Sequence, residues 1–363
     1  MSRADSEPAV DTADPPVVKP RKQEQERATD EVTEVAPGIL RTQLPINMPG
    51  LGHVNCYVLE DERGVAVVDP GLPGPGTLKV LTSRLASAGI PLKRVHTVVV
   101  THSHPDHFGG AGWIRKETGA DVVTHRLFHP FWDRHEPPDL GAEDLADAAT
   151  SSPWTAPPWG GPKPKIDFKR RMWFTTARHF PRFAKVPRPT TRLADADTIR
   201  LAGREWVAVH TPGHTDDHLC LFDPTEGVML SGDHVLPTIT PHIGGFVRNV
   251  DPLQRFFDSL DKVAAYGPEV TTVLPAHGHP FPDLAGRANA IREHHLQRLE
   301  VARAASDEVG RPMSVQEMST HLFSPRAQGP MADSETFAHL EHLRLAGSYR
   351  RHETDVGYRY EPS

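Results

Sequence analysis

A short hydrophobic run, Val98-Val99-Val100, ends in Thr101-His102-Ser103-His104-Pro105-Asp106-His107, which places three imidazoles and a carboxylate on one turn. Imidazoles gathered at the end of a buried strand lose solvent and repel one another when protonated, so the compensating partner is a cation that takes their lone pairs. His102 and His104 stand two apart at the strand terminus, where local turning can aim both rings at one point, and Asp106 and His107 follow on the turn into the next helix. One loop can therefore supply two ligands to each of two adjacent sites. Three later segments repeat the design: Val209-His210-Thr211-Pro212-Gly213-His214, Leu230-Ser231-Gly232-Asp233-His234 and Val273-Leu274-Pro275-Ala276-His277. Each is a strand followed by a candidate ligand, with Gly or Pro in the turn where the chain must bend sharply.

Such turns need strands to hold them. Gly38 to Leu44, Asn55 to Glu60 and Val65 to Asp69 are short β-rich runs separated by turn residues, and they read as a meander. Leu78, Leu81, Leu85 and Ala88 fall at helical spacing within 77–88, and Val95 to Val100 follows as the strand that leads into the histidines. A second group of strands is expected at Thr198 to Leu201, Glu205 to His210, His218 to Phe222 and Val228 to Ser231. Two blocks of this kind predict an α+β fold, a two-sheet sandwich flanked by helices.

Residues 1–34 are rich in charge and proline and nearly free of large apolar side chains, which predicts a disordered tail. Between the strand groups, 134–192 is irregular. Its 161–188 stretch carries nine Lys or Arg against Asp167, with Trp159, Phe168, Trp173, Phe174, Phe180 and Phe183 beside or among them. This basic aromatic insertion is either a solvated excursion or a cationic lid that draws anionic substrates. After 285 the pattern becomes helical: Leu284 to Ala305, Ser314 to Leu322 with Ser314 and Glu317 as a capping box, and Ser334 to Leu345 with Ser334 as the cap. Arg350 to Tyr360 reads as a hairpin, so 286–363 is expected to form a winged-helix-like unit. Its ten Arg against eleven acids favour a packing or homodimerisation module over DNA binding.

The 363 residues suffice for a large core. A net charge of -7 argues against a general nucleic-acid binder. No apolar run approaches the length of about 20 residues that a membrane span requires. Met1 to Val10 carries Asp5 and Glu7 with no apolar stretch, so a cytoplasmic location is expected. Cys56 and Cys220 lie in apolar runs and read as buried thiols.

The pattern His-x-His-x-Asp-His, then His, Asp and His, resembles the metallo-β-lactamase-fold hydrolase superfamily, and the resemblance covers roughly 35–285. It implies an αββα four-layer sandwich with two metals between the sheets. By carry-over, His102, His104 and His214 would bind one metal, Asp106, His107 and His277 the other, and Asp233 would bridge them. Asp69 matches the family's aspartate near the site and is expected to hold a ligand histidine by its remaining N–H. Five imidazoles and two carboxylates suit zinc, and Fe(II) or Mn(II) accept similar sets. Two such ions supply hydroxide near neutral pH and polarise a carbonyl or phosphoryl oxygen, with Asp106 also orienting the nucleophile. His234 and His242 follow the bridging aspartate, where either could protonate a leaving group or contact substrate, and His218 could support a ligand. His125, His129, His135, His179, His210, His279, His294 and His295 lack such a context and are expected in surface or core roles.

One sandwich followed by a winged-helix-like unit resembles the glyoxalase II-like and β-lactamase-like-protein-2 branch, which contains thioesterases and endoribonucleases. The acidic total and the basic insertion favour a small anionic acyl ester or thioester. The alternatives are a phosphodiesterase or endoribonuclease, a lactonase, a mononuclear iron persulfide dioxygenase, and a silent nucleic-acid-binding regulator.

Overall fold

The computed structural model of the chain describes residues 22–48, 50–130, 156–161, 168–179, 185–245 and 251–363. Positions 1–21 of the expected tail, and 131–155, 162–167 and 180–184 in or beside the expected insertion, lie outside the described residues.

Two β-sheets face each other. The first runs in sequence order from β1 (Val32–Ala36), β2 (Ile39–Met48), β3 (Leu51–Asp61) and β4 (Gly64–Val68) to β5 (Val95–Val99), β6 (Asp121–His125) and β7 (Thr191–Leu193). β1 to β4 pair antiparallel, as the expected meander, and β4 to β7 pair parallel. Every residue of β4 is buried, as its unbroken Val/Ala composition requires of a strand covered on both faces. The second sheet holds β8 (Thr198–Leu201), β9 (Arg204–His210), β10 (Leu219–Asp223), β11 (Val228–Gly232) and β12 (Thr272–Pro275), with β12 parallel to β11 at one edge. Tyr57, Leu59, Val68 and Val99 from the first sheet meet Trp206, Ala208, Leu221 and Leu230 from the second to form the inner core.

Helices cover the outer faces. α1 (Pro75–Ser87), the single turn α2 (Pro105–Phe108) and α3 (Ala111–Thr118) pack Leu81, Leu85, Phe108 and Ile114 on the first sheet. Full burial of each such side chain stabilises the fold by about 2–3 kcal/mol. α4 (Phe168–His179) carries four of the nine basic residues and exposes Phe168 and Met172. α5 (Pro252–Ala265) and α6 (Leu284–Val309) cover the second sheet. The result is the αββα sandwich.

The C-terminal elements are α7 (Val315–Leu322), α8 (Pro330–Leu345) and a small sheet of β13 (Met313–Ser314), β14 (Tyr349–Thr354) and β15 (Gly357–Pro362). The capping box at Ser314 and Glu317 forms as expected. Ser334 does not cap α8: the helix begins a turn earlier, after Gly329, with Pro330 at its first position, and Ser334 Oγ instead accepts from Gly245 N at 3.0 Å. Met318, Phe337, Leu340, Tyr349 and Tyr360 join Val209, Phe222, Met229 and Phe256 in one continuous cluster, so the C-terminal elements share the outer core of the second sheet. Among the described residues, no helix is long and apolar enough to cross a membrane.

Two expectations need correction. Residues 22–34 are ordered, because Gln23–Gln25 form a 3-10 turn whose Glu24 is fully buried and accepts from Thr238 N (2.8 Å), Ile239 N (3.1 Å) and Thr238 Oγ1. The charge that suggested a solvated tail is consumed by backbone donors of a loop more than two hundred residues away. Glu24→Ala should lower stability by about 2 kcal/mol, because it removes three hydrogen bonds that a buried carboxylate accepts from a partly exposed loop; urea unfolding of the full chain measures it, and an unchanged midpoint contradicts it. Trp159, expected within a lid, is buried against the C-terminal elements, stacked on Phe337 with ring centroids 4.6 Å apart.

Candidate metal centre

All seven expected ligands lie at or just beyond strand ends: His102 to His107 after β5, His214 after β9, Asp233 after β11 and His277 after β12. The β5 loop turns into α2 with His104 as N-cap and Pro105 at the first helical position, which sets Asp106 and His107 on the helical turn. Gly110 lets this turn approach the loop after β4, since a Cβ there would lie 2.3 Å from Pro70 O. That close approach delivers Asp69. At Gly232 the backbone adopts φ +51° and a Cβ would lie 2.6 Å from His218 Nε2, so glycine is required for Asp233 to rest on that ring.

The ligands converge in two groups, one of His102, His104, His214 and Asp233, the other of Asp106, His107 and His277. His104 Nδ1 stands 2.9 Å from His102 Nε2 and 3.0 Å from His214 Nε2. In the second group Asp106 Oδ2 lies 3.6 Å from His107 Nε2 and 3.7 Å from His277 Nε2. Asp233 faces both: Oδ2 is 3.5 Å from His214 Nε2 and 3.5 Å from His107 Nε2, while Oδ1 is 3.3 Å from His277 Nε2.

The far nitrogen of each ring fixes what the near one presents. His107 Nδ1 donates to Asp69 Oδ2 (2.9 Å), His214 Nδ1 to the His242 carbonyl (2.7 Å) and His277 Nδ1 to the His53 carbonyl (2.6 Å). Thr101 Oγ1 donates to Asp69 Oδ2 at 2.8 Å, so its lone pair accepts from His102 Nδ1 at 3.1 Å. All four rings therefore turn Nε2 inward, and in the neutral ring that nitrogen presents a lone pair. A single N–H on His104 can serve only one of its two close nitrogen neighbours well, and the other contact sets lone pair against lone pair. His107 Nε2, His277 Nε2 and Asp233 Oδ1, all buried, have no hydrogen-bond partner among the described residues. Two ligand nitrogens on one tetrahedral zinc stand about 3.3 Å apart, close to the spacings observed. The donor set fits divalent cations.

Electrostatics agree. Burial, then the neighbouring imidazoles, pushes His102 and His104 well below the ordinary histidine value, so both rings are neutral and keep a lone pair for a cation. Burial opposes ionisation of Asp233, yet His277 and His107 outweigh it and hold its carboxyl well below the carboxylate range. Burial likewise opposes protonation of His107 and His277, but Asp233 and Asp106 prevail and raise both. In the metal-free chain these carboxylates attract protons that a cation would displace.

Supporting residues close around the ligands. Asp69 has φ +54°, accepts from Thr101 N at 2.9 Å, and holds His107 directly and His102 through Thr101, so it orients one ligand in each group. His218 accepts from Asp233 N (3.0 Å) and donates to Thr211 Oγ1 (2.7 Å). His53, which no sequence pattern singles out because it lies near the start of β3 and not beyond the C-terminal end of a strand, donates to Glu26 O (2.9 Å), accepts from Gly278 N (3.1 Å) and gives its carbonyl to His277. His234 departs from expectation: its ring is fully buried beside Phe256 (5.0 Å) and His218 (5.8 Å), in the outer core and outside both ligand groups, and burial pushes it down to about 3. It is not placed to meet a substrate. His242 borders the first group through its carbonyl, with a side chain 26 % exposed. His125 and His210 stack in the interior at 3.8 Å, and His279 pairs with Glu26 at the surface, away from the ligands. His135 lies outside the described residues.

Asp217 carries a pH signature. Burial pushes its carboxyl up to about 6, despite the hydrogen bond from Ser103 Oγ at 2.9 Å. The folded chain thus binds this proton more tightly than the unfolded chain, whose value is near 3.8. The associated stability is present at low pH and is lost as pH rises through about 6, a penalty of about 3 kcal/mol. Asp217→Asn should raise the Tm of the metal-free chain at pH 8 and change it far less at pH 4; equal shifts at both would contradict this.

Paired ligand groups at the strand ends of an αββα sandwich define a metal-dependent hydrolase. The chain belongs to the Metallo-beta-lactamase superfamily, whose match covers residues 49–277. It is similar to a probable metallo-hydrolase of Bacillus subtilis, 23% identical over 315 residues that cover 81% of this chain and 88% of that protein. An atrochrysone carboxyl ACP thioesterase of Aspergillus fumigatus is 26% identical over 237 residues, covering 65% of this chain and 40% of the relative. Among solved structures, a metallo-beta-lactamase family protein from Thermus thermophilus matches with TM-score 0.69 and 30% identity, covering 91% of this chain and 100% of that one. A beta-lactamase domain protein from Burkholderia ambifaria matches with TM-score 0.71 and 27% identity, covering 93% and 95%.

Proposed function

We propose that the chain is a two-metal hydrolase of an acyl ester or thioester with a small anionic substrate. The observation that carries the two-metal part is Asp233, whose Oδ2 lies 3.5 Å from both His214 and His107 while Oδ1 lies 3.3 Å from His277, so one carboxylate would be available to ions held by either group. His102, His104 and His214 would hold one ion, Asp106, His107 and His277 the other, with zinc the first choice and Fe(II) or Mn(II) the alternatives. When bound, such ions supply Lewis acidity that activates water near neutral pH and polarises the acyl oxygen. Asp69, His218 and His53 hold the ligands in register, Asp106 orients the nucleophile, and His242 contacts the leaving group. The thioester assignment draws support from the A. fumigatus relative's name and from the nine Lys or Arg within 161–188, which suit an anionic substrate.

The test is a hydrolysis screen of metal-reconstituted protein against thioesters, acyl esters, lactones, phosphodiesters and short RNA. Turnover of a thioester or acyl ester, lost on chelation and restored by added metal, is expected. Activity confined to phosphodiesters or RNA overturns the substrate assignment.

A further inference from the structure

The loop after β11 does more than carry His242. Its carbonyl at His242 accepts from His214 Nδ1 at 2.7 Å, and this bond fixes the ring that presents Nε2 to the first ligand group. Two consecutive residues of α8 hold the same loop from the C-terminal side. Glu335 Oε2 accepts from His242 Nδ1 at 3.1 Å, and Ser334 Oγ accepts from Gly245 N at 3.0 Å. Glu335 is itself held, because its other oxygen pairs with Arg298 on α6, and its side chain is only 9% exposed. The loop is therefore pinned at both ends of a four-residue span by one helical turn that belongs to the C-terminal elements.

We infer that Glu335 is a positioning residue for the first ligand group: through His242 and its carbonyl, the C-terminal helices set the orientation of His214. The inference rests on the metal-centre reading above and gives the segment 286–363 a direct part in the centre. Removing the Glu335 carboxylate frees His242, loosens the carbonyl and lets the His214 ring rotate away from its partners. Loss of a group that orients a metal-binding histidine costs about 10–100-fold in metal affinity. The second group lacks this dependence, since His107 is held by Asp69 and His277 by His53.

Competition titration of the metal-free full chain with zinc and a chromophoric chelator resolves the binding steps. Glu335→Ala is expected to weaken one step about tenfold or more and leave the other unchanged. Glu335→Gln should restore that step in part, because its amide oxygen still accepts from His242 Nδ1 while its NH2 group no longer accepts from Arg298. Ser334→Ala, a smaller change at the second clasp, should weaken the same step and covers the case in which Glu335→Ala does not fold. Wild-type affinities in Glu335→Ala, or equal weakening of both steps, overturn the inference. A wild-type chain that takes up a single ion overturns the two-metal reading, and Glu335→Ala still decides the inference on that ion.

Discussion

Asp233→Ala is expected to reduce turnover at least about 10³-fold at saturating metal, while the folded core survives. Asp233 Oδ2 lies 3.5 Å from His214 Nε2 in the first group and 3.5 Å from His107 Nε2 in the second, and its Oδ1 lies 3.3 Å from His277 Nε2, also in the second. Alanine removes the shared anion and leaves every imidazole in place, so one ion should be lost or weakly held and the remaining one deprived of its neighbour. The hydrophobic layers do not depend on it, so the circular dichroism spectrum should stay close to wild type, while the Tm of the metal-free protein should fall because Asp233 no longer pairs with His107 and His277. The measurement pairs kcat with metal content per chain. Activity near wild type at full metal content would contradict the bridging role.

Asp69→Ala is expected to weaken metal binding about 10–100-fold and to lower the stability of the metal-free chain by about 2–4 kcal/mol. The stability loss follows from stranding Thr101 N, Thr101 Oγ1 and His107 Nδ1 in the interior. Both ligand groups should be affected, because Asp69 holds His107 directly and His102 through Thr101. That distinguishes it from Glu335, which acts on the first group alone. Backbone conformation adds to the cost: φ at position 69 is +54°, which Asp and Asn tolerate better than Ala. Asp69→Asn should therefore fall between the two. Zinc competition and urea unfolding read the two effects separately, and an alanine variant that loses affinity in only one group would contradict the shared role.

The candidate ligand positions were legible in the sequence because each lies beyond a run of strand-forming residues in or beside a turn that carries Gly or Pro, a local signal that survives without tertiary information. The same locality explains the strands around Val65, Val95, Arg204 and Val228, whose apolar runs are bounded by turn residues. What escaped depends on contacts distant in sequence. Glu24 looks like one more tail charge until Thr238 and Ile239 donate to it. His53 and Glu335 become meaningful only when the fold brings them to His277 and His242. Ser334 resembled a helix cap, but Gly329-Pro330 starts the helix earlier and frees its hydroxyl for Gly245. His234 failed for a related reason: adjacency to Asp233 in sequence reverses direction across one residue, and its ring turns into the outer core beside Phe256.

The most direct test of the central claim is the number of divalent ions bound per chain, measured by elemental analysis after equilibrium dialysis against zinc. Two ions are expected for the wild-type protein and one each for His214→Ala and His277→Ala, since each variant disables a different group. A wild-type chain that saturates at one ion, or variants that each lose both or neither, would contradict a centre built for two metals around Asp233.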